Sequence, residues 1–81
     1  MIKPATAAEI PEEQEIFTAA WNYLKQYANL KQTDDDRCWH QCSSMFSQVF
    51  NMGTSETTRE LSSGLATAVF KYIEARSKVK Q

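Results

Sequence analysis

The chain contains very little glycine, proline, cysteine or histidine. Two glycines, two prolines, two cysteines and one histidine occur among 81 residues. Because tight turns between strands depend on glycine and proline, so few of them disfavour a fold with many β-strands. A chain of this length forms one domain, near the lower limit of what can bury a self-sufficient core.

An excess of charge of one sign is also lacking. Nine Lys and Arg residues face ten Asp and Glu residues, which gives a formal net charge of −1. No overall positive field is present to attract nucleic acid, so the composition disfavours a non-specific DNA-coating protein.

Long apolar runs are missing as well. No run approaches the roughly 18 residues that a transmembrane helix needs. Residues 1–13 lack the continuous apolar stretch of a secretory signal. We therefore expect a cytoplasmic protein with no membrane association, in which both cysteines stay reduced.

Familiar catalytic motifs are absent from the sequence. It has no glycine-rich phosphate loop, no Gly-x-Ser-x-Gly and no His-Glu-x-x-His. Glu12, Glu13 and Glu15 are close together, but at a predicted helix start such carboxylates complement the helix dipole. The sequence therefore predicts neither an enzyme nor a bound cofactor.

Apolar residues recur at helical spacing in three segments. The first helix is predicted over residues 11–29, with Pro11 in its first turn. The centre of its apolar face consists of Phe17, Trp21, Leu24 and Ala28, flanked by Ile16, Ala20, Tyr23 and Tyr27.

The second helix is predicted over residues 33–52, capped by Thr33 with Asp36 as its third residue. Gly53 is placed to end it. Its apolar stripe consists of Cys38, Trp39, Cys42, Met45, Phe46, Val49 and Phe50.

The third helix is predicted over residues 55–78, where Ser55 and Thr57 are both candidate caps and Thr57 with Glu60 fits a capping box. Gly64 lies inside it, where we expect another helix to approach closely. Its predicted core face is Leu61, Leu65, Ala68, Val69, Tyr72 and Ile73. Short connections favour an all-α, compact antiparallel three-helix bundle, with residues 1–10 as a mobile arm.

The segment C-W-H-Q-C at 38–42 raises the question of a metal or redox site. Cys38 and Cys42 share one helix face, whereas His40 is turned about 200° from Cys38. One regular helix cannot direct these three side chains to a tetrahedral zinc ion. We predict no metal site, and both thiols act as small buried hydrophobes. A cysteine-based metal or redox regulator ranks third among the functions considered.

The charges are distributed unevenly over an up-down-up bundle. One end, the acidic pole, consists of Glu9, Glu12, Glu13, Glu15, Glu56 and Glu60. The opposite end carries an excess of Lys and Arg, including Arg76, Lys78 and Lys80. Compensation of each helix dipole explains this pattern. A basic end that contacts phosphates or an acidic protein patch explains it too.

A second apolar strip on helix 3 contains Phe70, with Ala66 and Ile73 on the same side. This strip belongs to the core if helix 3 is central, or to a docking or dimer surface if it is not. Trp39 and Phe50 lie at the edge of the stripe of helix 2. The candidate partner-binding residues are Trp39, Phe50, Phe70, Ile73, Arg76, Lys78 and Lys80.

Three short motifs follow one another along the chain: F-x-x-x-W-x-Y-L-K-x-Y at 17–27, T-D-D-D-R-C-W at 33–39 and Y-I-E-A-R-S-K at 72–78. Their order resembles small, uncharacterised helical proteins encoded by phages and integrated mobile elements of gut Firmicutes. The resemblance implies no catalytic residues. It implies a setting in which small proteins bind host or element components, including defence systems.

The leading hypothesis is therefore a small protein–protein interaction module that acts stoichiometrically, as an inhibitor or accessory factor, with a homodimer as one predicted state. The alternative is a nucleic-acid-associated accessory protein that uses the basic C-terminal end.

Overall fold

The computed structural model describes residues 2–78 and contains three helices in sequence. They are α1 (Pro11–Tyr27), α2 (Asp36–Phe50) and α3 (Glu56–Ser77). Each pair of helices is in contact, and no strand occurs between residues 2 and 78. The predicted all-α three-helix bundle is confirmed. None of these helices is long and apolar enough to cross a membrane.

The buried face of α1 is centred on one edge of the predicted apolar face. Ile16, Ala20 and Tyr23 are its buried residues, whereas Phe17 is 54% exposed and Trp21 is 57% exposed. The prediction that Phe17 and Trp21 lie at the centre of the core face is therefore wrong. The small side chain of Ala20 lets a neighbouring helix approach, and the bulky indole of Trp21 is left on the outer side.

Helix α2 begins at Asp36, three residues later than predicted. Asp34 accepts a hydrogen bond from the backbone N–H of Lys31 at 2.7 Å, which closes a turn before the helix. Asp35 is the N-cap, and its side chain accepts from the N–H of Arg37 at 2.8 Å. The prediction of Thr33 as the cap is wrong, because the turn that Asp34 closes still contains that residue.

Gly53 fits the tight passage from α2 into α3. Helix α2 ends at Phe50, and Gly53 has no left-handed backbone. A Cβ atom at Gly53 would instead overlap the backbone of Thr58 and Arg59 in the first turns of α3. The backbone N–H of Gly53 also donates to Ser62 Oγ at 3.2 Å. Gly53 is thus required by close contact rather than by the ending of the helix.

Helix α3 begins with a capping box between Ser55 and Thr58. The Ser55 hydroxyl accepts from the N–H of Thr58 at 3.2 Å, and Thr58 Oγ1 accepts from the N–H of Ser55 at 2.9 Å. Ser55 is one of the two candidate caps. The predicted pairing of Thr57 with Glu60 is wrong, because the helix already begins at Glu56 and Thr57 lies inside it.

The buried face of α3 is also rotated from the predicted one. Its buried residues are Thr58, Ser62, Ala66 and Ile73. Tyr72 is 51% exposed, and nothing would meet a Cβ at Gly64 within 4 Å, so the predicted close approach at Gly64 is wrong. Ser62 tolerates burial because its hydroxyl donates to the carbonyl of Phe50 at 2.9 Å.

Candidate functional site

The C-W-H-Q-C segment lies in the first turns of α2 and does not form a convergent site. Cys42 is fully buried, Cys38 is half-buried and His40 is exposed. Cys42 Sγ is 3.3 Å from the hydroxyl of Tyr23. Burial raises the pKa of both the Cys42 thiol and the Tyr23 hydroxyl. Within residues 2–78, no three His, Cys, Asp or Glu side chains are grouped so that they could hold a metal ion.

The aromatic candidates on α2 and α3 are mostly engaged in packing. The indole N–H of Trp39 donates to the carbonyl of Lys31 at 3.2 Å, so Trp39 anchors the loop between α1 and α2. Phe46 packs against Phe50 and Phe70, with ring centroids 5.5 and 5.4 Å apart. Phe50 keeps 39% of its surface exposed.

Ile73 requires a correction. Its helical spacing makes it a candidate partner-binding residue, but it is fully buried in the core. Ala66 is fully buried too. The second apolar strip of α3 therefore belongs to the core, because α3 contacts both other helices and buries a broad face.

Two residues of the basic end have polar contacts within the chain. The guanidinium of Arg76 donates to Tyr72 Oη and Asn29 Oδ1, each at 3.4 Å. Lys78 pairs with Glu74 at 3.9 Å. Lys80 lies outside the described residues. Arg76 and Lys78 therefore both have polar partners close by.

The acidic pole contains one carboxylate with a clear structural role. Glu12 accepts hydrogen bonds from the backbone N–H of Thr54 at 2.7 Å and from its hydroxyl at 2.8 Å. These bonds, the backbone one first, lower the pKa of Glu12. Glu9 accepts from the hydroxyl of Thr6 at 3.1 Å. The other members of the acidic pole are at least partly exposed: Glu13, Glu15, Glu56 and Glu60.

The outer side of α1 forms an exposed surface that was not among the predicted partner-binding residues. Four residues at intervals of four, Glu13, Phe17, Trp21 and Lys25, make up what we call the α1 stripe. The Lys25 ammonium lies 5.6 Å from the centroid of the Trp21 ring, a cation–π distance. The two aromatic rings are each more than half exposed.

A signal for this stripe was present in the sequence. Residues spaced four positions apart are rotated by about 40° from one to the next around a helix. A row of them therefore winds from the edge of the buried face to the solvent-exposed side. The row also has an acid at one end and a base at the other, which is unusual for a core face.

Comparison of the chain with protein-family models, with curated proteins and with solved structures finds no significant match.

Proposed function

We propose that this protein is a non-catalytic protein-interaction module that binds its partner through the α1 stripe. The observation that carries the proposal is the exposure of Phe17 and Trp21, 54% and 57%, on adjacent turns of one helix. Large aromatic side chains dominate the binding energy of protein interfaces. A helix that shows two of them side by side, with its other face buried in the bundle, has the form of a docking helix.

The ends of the α1 stripe define the chemistry of the partner surface. Glu13 lies at one end and Lys25 at the other. A complementary surface is therefore apolar at its centre, basic opposite Glu13 and acidic opposite Lys25. Charges placed in this way orient the encounter and speed association more than they add affinity.

Binding by such a surface is stoichiometric, which suits an inhibitor or accessory factor. The resemblance to helical proteins of phages and mobile elements supplies the setting, in which small proteins act by binding other components. The nucleic-acid alternative receives less support, because Arg76 and Lys78 have polar partners in the chain.

The test compares three proteins: the wild type, the double variant Phe17→Ala/Trp21→Ala, and the control variant Tyr72→Ala. Tyr72 is a matched control because it is an aromatic residue on α3 with 51% exposure. Each protein is immobilised and used to capture partners from extracts of the source cells. The captured partner is then purified and titrated against each variant by calorimetry.

We expect the wild type and Tyr72→Ala to bind one partner with equal affinity and fixed stoichiometry. The double variant should bind at least about tenfold more weakly, since two interface aromatics are removed. Equal binding by all three proteins would place the docking surface elsewhere. Binding to a DNA duplex that falls steeply with added salt would support the nucleic-acid alternative instead.

A further inference from the structure

The α1 stripe runs acid, aromatic, aromatic, base from Glu13 to Lys25, with successive members at intervals of four positions. Followed from Lys25 back to Glu13, the same stripe has its base first and its acid last. Two copies laid side by side in opposite directions therefore match at every position. Such self-complementarity is what a two-fold symmetric contact requires.

We propose that the partner of the α1 stripe is a second copy of this chain, packed antiparallel about a two-fold axis. The axis passes through the exposed side of α1 midway between Phe17 and Trp21, at the height of Ala19 along the helix, although Ala19 itself faces the core. Phe17 of each copy then packs against Trp21 of the other. This inference rests on the proposed function, because it names the occupant of the same surface.

The charges select the direction of the two helices. In the antiparallel arrangement Glu13 of one copy faces Lys25 of the other. Both residues lie six positions from Ala19, or about 9 Å along the helix axis, within reach of their long side chains. A parallel arrangement in the same register would set Glu13 against Glu13 and Lys25 against Lys25, which is repulsive.

Both charged groups are available for this contact. The only ion pair in the part of the chain that the structure describes is Lys78 with Glu74, so neither Glu13 nor Lys25 is engaged in one there. The Lys25 ammonium already lies beside the Trp21 ring, at the rim of the stripe. Gln14 and Thr18, which are exposed next to the stripe, provide a polar margin.

A contact made by one helix from each copy is small, so the dimer should be weak and reversible. Sedimentation equilibrium of the full chain over roughly 10 µM to 1 mM covers the range expected for such an interface. We expect the average mass of the wild type to rise from one chain towards two. Trp21→Ala should bind itself at least about tenfold more weakly, and Tyr72→Ala should behave as the wild type.

Charge exchange gives the decisive test. Glu13→Lys alone sets two ammonium groups against each other at each end of the contact, and Lys25→Glu alone sets two carboxylates together. Each should weaken dimerisation roughly 3- to 30-fold, because two exposed pairs are lost per dimer. The double variant Glu13→Lys/Lys25→Glu recreates both pairs in reverse and should recover wild-type association.

Glu15→Lys is the matched control, since it makes the same change of net charge as Glu13→Lys on another side of α1 and should leave association unchanged. Thermal unfolding followed by circular dichroism verifies that every variant is folded. The second-copy proposal is overturned if the wild type stays monomeric at the highest concentration. It is also overturned if Glu13→Lys/Lys25→Glu self-associates no more tightly than the two single charge variants.

The two proposals fail in different ways. If self-association is absent but Phe17→Ala/Trp21→Ala still loses a captured protein, the α1 stripe binds a different partner and only the dimer is rejected. If Phe17→Ala/Trp21→Ala loses neither self-association nor any captured protein, the interaction function of the stripe is rejected as well.

Discussion

The two glycines, Gly53 and Gly64, occupy opposite environments. A Cβ atom at Gly53 would overlap the backbone of Thr58 and Arg59, whereas a Cβ at Gly64 would meet nothing within 4 Å. Gly64 is also exposed and lies in the interior of α3. In such a helical position glycine costs stability because it loses more backbone entropy on folding than alanine does.

Substitution of the two glycines by alanine should therefore change stability in opposite directions. Gly64→Ala should raise the free energy of unfolding by about 0.4–1 kcal/mol. Gly53→Ala should lower it by about 1–3 kcal/mol, because the start of α3 has to move. Urea unfolding followed by circular dichroism measures both. A stabilising Gly53→Ala would contradict the close contact of this glycine with α3.

The two cysteines should differ in reactivity although they are one helical turn apart. Cys42 is fully buried against Tyr23, and burial raises the pKa of its thiol. Since the thiolate is the reactive form, iodoacetamide should modify Cys42 at least about tenfold more slowly than Cys38 in the folded protein. Mass spectrometry of the modified peptides measures both rates.

Unfolding in guanidinium chloride provides the control for this experiment, since both cysteines should then react at similar rates. Equal rates in the folded protein would show that Cys42 is accessible, which would revive a thiol-based function for the pair.

At the scale of secondary-structure elements, the start of α3 depends on the capping box of Ser55 and Thr58. Replacement of Ser55 by alanine removes the acceptor for the N–H of Thr58. We expect Ser55→Ala to lower the free energy of unfolding by about 1 kcal/mol, the usual effect of losing an N-cap.

Thr57→Ala is the matched control, because Thr57 is an exposed hydroxyl residue two positions away and the other candidate cap. It should change the free energy of unfolding by less than about 0.5 kcal/mol. Chemical unfolding of both variants distinguishes them, and a larger loss for Thr57→Ala would contradict the cap at Ser55.

At the scale of the whole molecule, Glu12 joins the start of α1 to the loop between α2 and α3. It accepts two hydrogen bonds from Thr54, which lies 42 positions away in sequence. The pKa of Glu12 in the folded protein is lowered from 4.5, chiefly by the bond from the Thr54 backbone. Its stabilising effect is therefore present above the unfolded-state pKa and is lost as pH falls through the folded-state pKa.

Glu12→Gln should accordingly lower the melting temperature at neutral pH, and the difference from the wild type should shrink as the pH falls below about 4. Thermal unfolding across this pH range measures the effect. Glu15→Gln is the control, since it makes the same change of side chain at an exposed position of α1. A difference that is constant with pH would contradict the ionised contact with Thr54.

The helices follow from short-range properties of the chain. The helical spacing of apolar residues, Pro11 in a first turn and Ser55 before α3 are local features, and local steric and hydrogen-bonding preferences are enough to predict three helices. The isolation of His40 from the two thiols follows in the same way from helical spacing alone.

The rotation of each helix, by contrast, depends on contacts between distant parts of the chain. On α1 the apolar face is wide enough that spacing does not tell which of its edges is buried. The contact of Tyr23 with Cys42 and the small size of Ala20 turn that edge inward, so Phe17 and Trp21 are left in solvent.

The same reasoning applies to α3 and explains why Ile73 was wrongly counted among the partner-binding candidates. Ser62 looks like a surface residue in the sequence, yet its hydroxyl finds the carbonyl of Phe50 and the residue is buried. That rotation moves Ile73 from the edge of the predicted core face to its centre and leaves Tyr72 exposed. Burial of a polar group depends on a partner from another helix, and such a partner exists only once the helices have packed.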